Sequence, residues 1–200
     1  MGPMTVRILP ATARVAVPWR NGGGVTREIA ADRAAGRAAG PAGAPDFTWR
    51  VSAAEVAADG PFSAYPGYHR ILTVVTGEGL ELTVDGTAHE VCPHEPFAFP
   101  GGAQTSCRLL GGPVTDLNVI SRGRPRVEIH ALEAGEDVHV AVGAGLVVAV
   151  VLAGEARLTH GPTGRATLGP LDAVRLDAGD QATITTYNWE TVLAVAHPAG

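Results

Sequence analysis

The chain has 200 residues, 46% of them hydrophobic and 18% charged, with a formal net charge of -5 at pH 7. That content suffices for one large all-β domain or two smaller fused ones. It argues against a long phosphate backbone as partner, since nucleic-acid affinity rests on clustered basic side chains. Every basic residue apart from histidine is arginine, the side chain that grips a carboxylate through two parallel hydrogen bonds. High-GC codon usage accounts for that bias equally well.

The first residues, 1–7, lack the apolar stretch of a secretory signal, so a cytoplasmic location is expected. A strand is expected at 13–17. Trp19-Arg20-Asn21-Gly22-Gly23-Gly24 follows, then Val25-Thr26-Arg27-Glu28-Ile29, whose alternation puts Thr26 and Glu28 on one strand face and Arg27 on the other. Residues 30–46 hold no large apolar side chain and several Gly and Pro, and read as a flexible surface loop. Further strands are expected at 47–53, 70–76, 79–84, 96–100, 104–110 and 115–121. Beyond them come 138–142, 146–153, 155–159, 173–177, 181–187 and 191–196. The one helical turn expected lies near 53–57. The longest apolar run, 141–154, is too short and too glycine-broken to cross a bilayer, so no membrane role is expected. Cys92 and Cys107 read as two buried thiols, with a disulfide as the alternative. The seven histidines, 69, 89, 94, 130, 139, 160 and 197, fall at no metal-ligand spacing and read as loop or turn residues.

Leu72-Thr73-Val74-Val75-Thr76-Gly77-Glu78 resembles Ala149-Val150-Val151-Leu152-Ala153-Gly154-Glu155 at an offset of 77, which also relates Phe99 to Leu176 and Gly102 to Gly179. Two copies of one module follow. In each, an apolar strand enters a Gly-Glu turn, a second strand leaves it, and a later strand ends near a glycine. Short, evenly spaced strands of this kind make a sandwich or barrel.

That order, with the turn Pro100-Gly101-Gly102, resembles the two halves of a cupin barrel. The resemblance implies an all-β bicupin, two fused cupin-like jelly-roll barrels. The expected division is 1–122, carrying the pocket, and 123–200, mainly structural, with strand exchange between them as an open alternative. In metal-bearing cupins four side chains, three His and one Glu, hold the ion. Here Arg70 falls in the Glu slot, Ser63 with Tyr65 (or Ala64 with Pro66) in two His slots, and Thr105 in the last. In the second copy the Glu and last His slots hold Val147 and Ala182. A guanidinium and neutral hydroxyls are poor ligands for a divalent ion, so no metal and no cofactor are expected. Three segments further resemble the HutD/Ves family of bicupins, associated with histidine utilisation. They are Pro18-Trp19-Arg20-Asn21-Gly22-Gly23-Gly24-Val25-Thr26-Arg27-Glu28-Ile29, Gly60-Pro61-Phe62-Ser63-Ala64-Tyr65-Pro66-Gly67-Tyr68-His69-Arg70, and Gly112-Pro113-Val114-Thr115-Asp116-Leu117-Asn118. Two departures stand out: Gly102 where the family commonly has an acidic residue, and Leu117 where it has an aromatic.

The glycine triplet allows close approach of backbone N–H groups and so a small anion-binding concavity around Trp19, Asn21, Gly22 and Gly23. The alternative is a structural crossing between strands, with Trp19 covering a barrel end. Arg70 inside a small barrel needs a partner, either a buried carboxylate such as Glu28 or Asp116 or a ligand anion. Arg50 and Ser52 share a face, which Trp49 opposes. Asp116 and Asn118 also share one, poised either to orient Arg70 and bind a ligand or to form a satisfied polar network, which Arg122 would close.

The expected function is a metal-free module that binds a small organic anion and acts as a sensor or regulator. The candidate ligand-binding residues are Trp19, Asn21, Gly22, Gly23, Thr26, Glu28, Arg50, Ser52, Ser63, Tyr65, Arg70, Asp116 and Asn118. The family resemblance suggests urocanate, formylated or formiminated glutamate, or formate. The alternative is a metal-free isomerase or hydrolase, with Glu28 or Asp116 as base, Tyr65 or His69 as acid, and Arg70 holding substrate. No catalytic residue is singled out. Whether two chains pair through an exposed strand edge is left open.

Overall fold

A computed structural model describes residues 6–33, 45–186 and 190–198. In chain order the first strands are β1 (Arg7–Leu9), β2 (Ala16–Pro18), β3 (Gly24–Ala31), β4 (Trp49–Val56), β5 (Gly60–Pro61), β6 (His69–Thr76), β7 (Leu80–Val84), β8 (Thr87–Val91), β9 (Phe97–Pro100), β10 (Thr105–Leu109) and β11 (Val114–Ser121). They are followed by β12 (Arg126–Leu132), β13 (Asp137–Ala141), β14 (Leu146–Ala153), β15 (Ala156–His160), β16 (Gly164–Leu168), β17 (Ala173–Asp177), β18 (Gln181–Thr186) and β19 (Thr191–His197). A 3-10 turn at Ala11–Ala13 occupies part of the strand expected at 13–17. No helix among the described residues is long and apolar enough to cross a membrane.

The chain forms two compact units, Val15–Pro125 and the described part of Met1–Arg14 together with Arg126–Pro198. The first unit has a six-stranded sheet, β2-β3-β4-β11-β6-β9, and a four-stranded sheet, β5-β10-β7-β8. Between them lies a core that includes Leu72, Val74, Leu80, Leu82, Val91 and Cys107. The second unit has sheets β1-β17-β14-β19-β12 and β13-β18-β15-β16 around Val147, Ala149, Val151, Leu158, Ile184, Leu193 and Val195. Both are cupin-like β-barrels.

The 77-residue offset extends to whole strands. β4, β5, β6, β8 and β11 begin exactly as far from β12, β13, β14, β16 and β19, and the remaining three pairs differ from that offset by one residue. Even the irregularities repeat. The β6–β11 register slips between Thr115 and Asp116, and the β14–β19 register slips at the equivalent point, between Val151 and Ala153. The glycine after each bulged strand has positive φ, +98° at Gly77 and +78° at Gly154. A Cβ would sit 2.8 Å from Val114 Cγ1 at Gly77 and 2.7 Å from Thr191 Oγ1 at Gly154. The Gly-Glu turn that reveals the repeat in sequence is thus imposed by backbone conformation and by the close approach of the neighbouring strand.

Several local expectations are corrected. Residues 53–57 were expected to turn as a helix, but Ala53-Ala54-Glu55-Val56 are strand, paired on both sides with β3 and β11. The helix preference of alanine yields to two ladders of backbone hydrogen bonds. β1 pairs with β17 of the second unit. Six of the seven histidines lie in strands, and only His94 occupies a turn. Both cysteines are free, Cys107 buried and Cys92 half-buried. Of the loop expected at 30–46, residues 34–44 lie outside the described residues, while Ala30 and Ala31 complete β3.

Candidate functional site

Four adjacent strands of the first unit, β3, β4, β11 and β6, present three rows of side chains on the face that carries Leu72 and Val74 into the core. Register places Arg70 beside Ile120 and then Arg50, Leu72 beside Asn118, Ser52 and Glu28, and Val74 beside Asp116, Ala54 and Thr26. The period-two expectation for Arg70, for Arg50 with Ser52, and for Asp116 with Asn118 holds. A cavity of about 750 Å3 opens over these rows. Of the expected site residues, Trp19, Asn21, Thr26, Glu28, Arg50, Ser52, Ser63, Tyr65, Arg70 and Asn118 line it. Gly22, Gly23 and Asp116 do not.

Arg70 is 5% exposed, and its one hydrogen bond to a described residue runs from Nε to Asn118 Oδ1, 2.8 Å. Its guanidinium stacks 4.6 Å from the Phe62 ring centre and 5.3 Å from that of Phe99. Burial lowers its pKa, and the nearby charge of Asp116 opposes that. Asn118 Nδ2 in turn donates to Asp116 Oδ1. The amide therefore has one self-consistent orientation, oxygen toward the arginine and nitrogen toward the carboxyl. Asp116 is fully buried, and its Oδ2 has no hydrogen-bond partner. Burial pushes its carboxyl up to about 7, against the pull of Arg70. In the second unit the equivalent positions carry Val147, Leu193 and Val195, all in the apolar core.

A second cation, Arg50, donates from Nη2 to the Tyr65 hydroxyl at 3.0 Å, with Cζ 4.8 Å from the Phe47 ring and 5.5 Å from that of Tyr65. Its Nε is buried without a partner. The Tyr65 backbone is held by hydrogen bonding to Gly101, where a Cβ would lie 2.9 Å from two carbonyl oxygens. The Pro100-Gly101-Gly102 turn thus positions a cavity residue.

The glycine triplet closes the β2–β3 hairpin. Gly22 N–H donates to Trp19 O at 3.1 Å, Gly23 N–H to Asn21 Oδ1 at 3.1 Å, and Trp19 N–H to Gly24 O at 2.9 Å. These N–H groups are spent within the turn, so the anion-binding concavity expected at Gly22 and Gly23 is not formed and the structural alternative holds. At Gly24 a Cβ would meet Glu55 O at 2.4 Å and the Trp19 ring at 3.1 Å. Trp19 packs edge-on to Phe62 at 5.6 Å and donates from Nε1 to Thr26 Oγ1 at 2.7 Å, closing one side of the cavity.

Two residues expected near Arg70, Glu28 as its carboxylate partner and Arg122 as the one to close its network, are engaged elsewhere. Glu28 is ion-paired with Arg33, which also binds Asp46. Arg122 donates to the Tyr68 hydroxyl at 3.0 Å, so it does not close the Arg70 network. Arg20, Arg33 and Phe62 line the cavity without having been singled out. Phe62 stood inside a quoted segment, but nothing local marks an aromatic as an arginine platform.

The residues here do not fit a divalent ion. A guanidinium stands in the ligand slot, Thr105 turns its hydroxyl to Ala103 O at 3.1 Å, and among the described residues no three His, Cys, Asp or Glu side chains converge.

Among known proteins, the family model described as HutD matches residues 11–194. An uncharacterized 21.2 kDa protein of the hutC 3' region in Pseudomonas putida is 34% identical over 178 residues, 88% of this chain and 89% of its own. Protein Ves of Citrobacter koseri is 38% identical over 108 residues, about half of each chain (52% and 51%). Among solved structures, HutD from Pseudomonas fluorescens SBW25, in a formate condition, superposes with a TM-score of 0.75 at 31% identity, covering 98% of this chain and 100% of that one. A conserved protein of unknown function from Pseudomonas aeruginosa PAO1 superposes with a TM-score of 0.80 at 28% identity, covering 96% and 97%.

Proposed function

The chain belongs to the HutD family, and from that premise we propose that it binds a small carboxylate in the cavity of its first barrel, as a sensor or regulator in histidine utilisation. The observation that carries this reading is Arg70. It is a buried cation on the cavity wall, stacked on two aromatic rings and tied to the described residues by one hydrogen bond through Nε. A buried guanidinium with no ion-pair partner in contact among the described residues favours an anion that offers two oxygens. Arg50, Ser52 and Tyr65 add polar groups on the same cavity, and Trp19, Phe62 and Ile120 add apolar surface. That mixture suits a small organic acid better than an inorganic ion.

The isomerase or hydrolase alternative is the weaker reading. Asp116 and His69 do not line the cavity, and Glu28 is held by Arg33. Formate, urocanate and N-formylglutamate are the ligands to try.

The test is thermal unfolding with each of these sodium salts against sodium chloride at equal ionic strength. At about a hundredfold excess over Kd, a ligand that binds only the folded chain adds about 2.7 kcal/mol of stability. At least one salt should raise Tm progressively with concentration, and Arg70→Met should abolish the rise. No rise with any of the three, or an equal rise in R70M, overturns the reading.

A further inference from the structure

We infer that Asp116 is a positioning residue that makes anion binding at Arg70 proton-linked: a carboxylate ligand is taken up together with a proton, drawn from solvent onto the Asp116 carboxylate. This rests on the carboxylate-binding reading and adds to it a residue that no ligand touches.

The geometry is a three-member chain. Asp116 is 0% exposed and does not line the cavity, so it reaches the ligand site only through Asn118. Asn118 gives its Nδ2 to Asp116 Oδ1 and its Oδ1 to Arg70 Nε. The carboxyl thereby fixes the amide, and the amide fixes one edge of the guanidinium. Asp116 Oδ2 has no hydrogen-bond partner among the described residues, so only the Asn118 amide at Oδ1 and the nearby charge of Arg70 favour the ionised form.

The charged and titratable groups facing this carboxyl are few. Arg70 from β6 is the one that favours its ionisation, and Cys107 from β10 faces both Asp116 and Arg70. Tyr65 and Arg50 act on Arg70, and Asp59 acts on Cys107. From β4 and β6 the register neighbours of Asp116 are Ala54 and Val74, which carry no charge. Among the described residues, ionised Asp116 therefore depends for counter-charge on a single guanidinium. A ligand carboxylate on that guanidinium takes up the counter-charge on which ionised Asp116 depends, which favours the protonated carboxyl. Asp116 is the one shut away from solvent, at 0% exposed, so it takes the proton. Burial, working against the pull of Arg70, puts its carboxyl at about 7, which places the linkage in an accessible pH range.

The experiment uses the full chain and sodium formate, which stays ionised throughout. Calorimetric titration at about pH 7, in buffers of different ionisation enthalpy, should show fractional proton uptake. The formate Kd should weaken about tenfold from about pH 6 to about pH 9, the change expected if the ligand raises the Asp116 pKa by about one unit. Asp116→Asn should abolish both the uptake and the slope and bind formate at every pH with the affinity the wild-type chain has at the acidic end.

Carbon-13 titration of the aspartate carboxyls in the wild-type chain gives a second readout that does not depend on the variant folding. One buried aspartate should titrate near neutrality, and formate should move its midpoint upward. Formate binding with no proton uptake and no pH slope, or a slope that persists in D116N, overturns the linkage and leaves the Arg70 reading standing. Failure of formate to bind at any pH overturns both.

Discussion

In the ligand-free chain, Asp116→Asn should change how stability depends on pH, with a sign that distinguishes two accounts of the buried network. The folded-state carboxyl sits at about 7, while an unfolded chain holds it near the ordinary 3.8. Below the unfolded value both states are protonated and the carboxyl carries no difference. As pH rises from there, the unfolded chain ionises freely and the folded one does not, so stability falls until the pH has passed the folded value. Three pKa units at about 1.4 kcal/mol each make that loss about 4 kcal/mol. Asparagine cannot ionise, so D116N is exempt from it.

Urea unfolding of both chains at several pH values between about 4 and 8 supplies the measurement, because their difference cancels every other titrating group. The stability of D116N minus that of wild type should climb by about 4 kcal/mol across that range. If Asp116 were instead a conventional ion-pair partner of Arg70, its pKa would be depressed and the difference would fall with pH. A flat or falling difference refutes the account of Asp116 as a carboxyl raised by burial.

The other expectations use the duplicate fold as a guide. Replacing the polar chain by its second-unit counterparts, Arg70→Val with Asp116→Leu and Asn118→Val, should abolish anion binding. It should also stabilise the first unit by about 1–4 kcal/mol, as hydrophobic replacement of buried ionic groups often does, measured by urea unfolding; a net loss of stability counts against it. Gly77→Ala should cost roughly 3 kcal/mol or more, because its Cβ would lie 2.8 Å from Val114 Cγ1. Gly86→Ala, also at positive φ but with nothing within 4 Å, should cost about 1 kcal/mol. Equal costs in the two glycine variants would remove steric contact as the reason for Gly77.

What was legible in the sequence followed from periodicity. The apolar strands and their Gly-Glu turns recur because both copies bury the same face and bend at the same bulge, so the 77-residue offset could be read from side chains alone. Alternation likewise put Asp116 with Asn118, and Arg50 with Ser52. The Arg33–Glu28 pair was hidden, since Arg33 stands in an Ala/Gly-rich stretch whose composition reads as loop. The glycine triplet was ambiguous for a physical reason: the freedom that lets backbone N–H groups cradle an anion also lets them close a hairpin, and only their acceptors distinguish the two. β1 was missed because three residues beside a proline carry too little alternation to register as a strand.

The apolar second barrel has a consequence for measuring ligand. With Val147, Leu193 and Val195 where the first unit has Arg70, Asp116 and Asn118, one molecule holds two near-copies of a scaffold, of which the first carries the polar chain proposed to take an anion. On the carboxylate-binding reading, amide exchange in β6 and β11 should slow with ligand, while the matching amides of β14 and β19 should follow temperature, denaturant and pH. The ratio of the two would then gauge ligand against a reference carried by the same polypeptide.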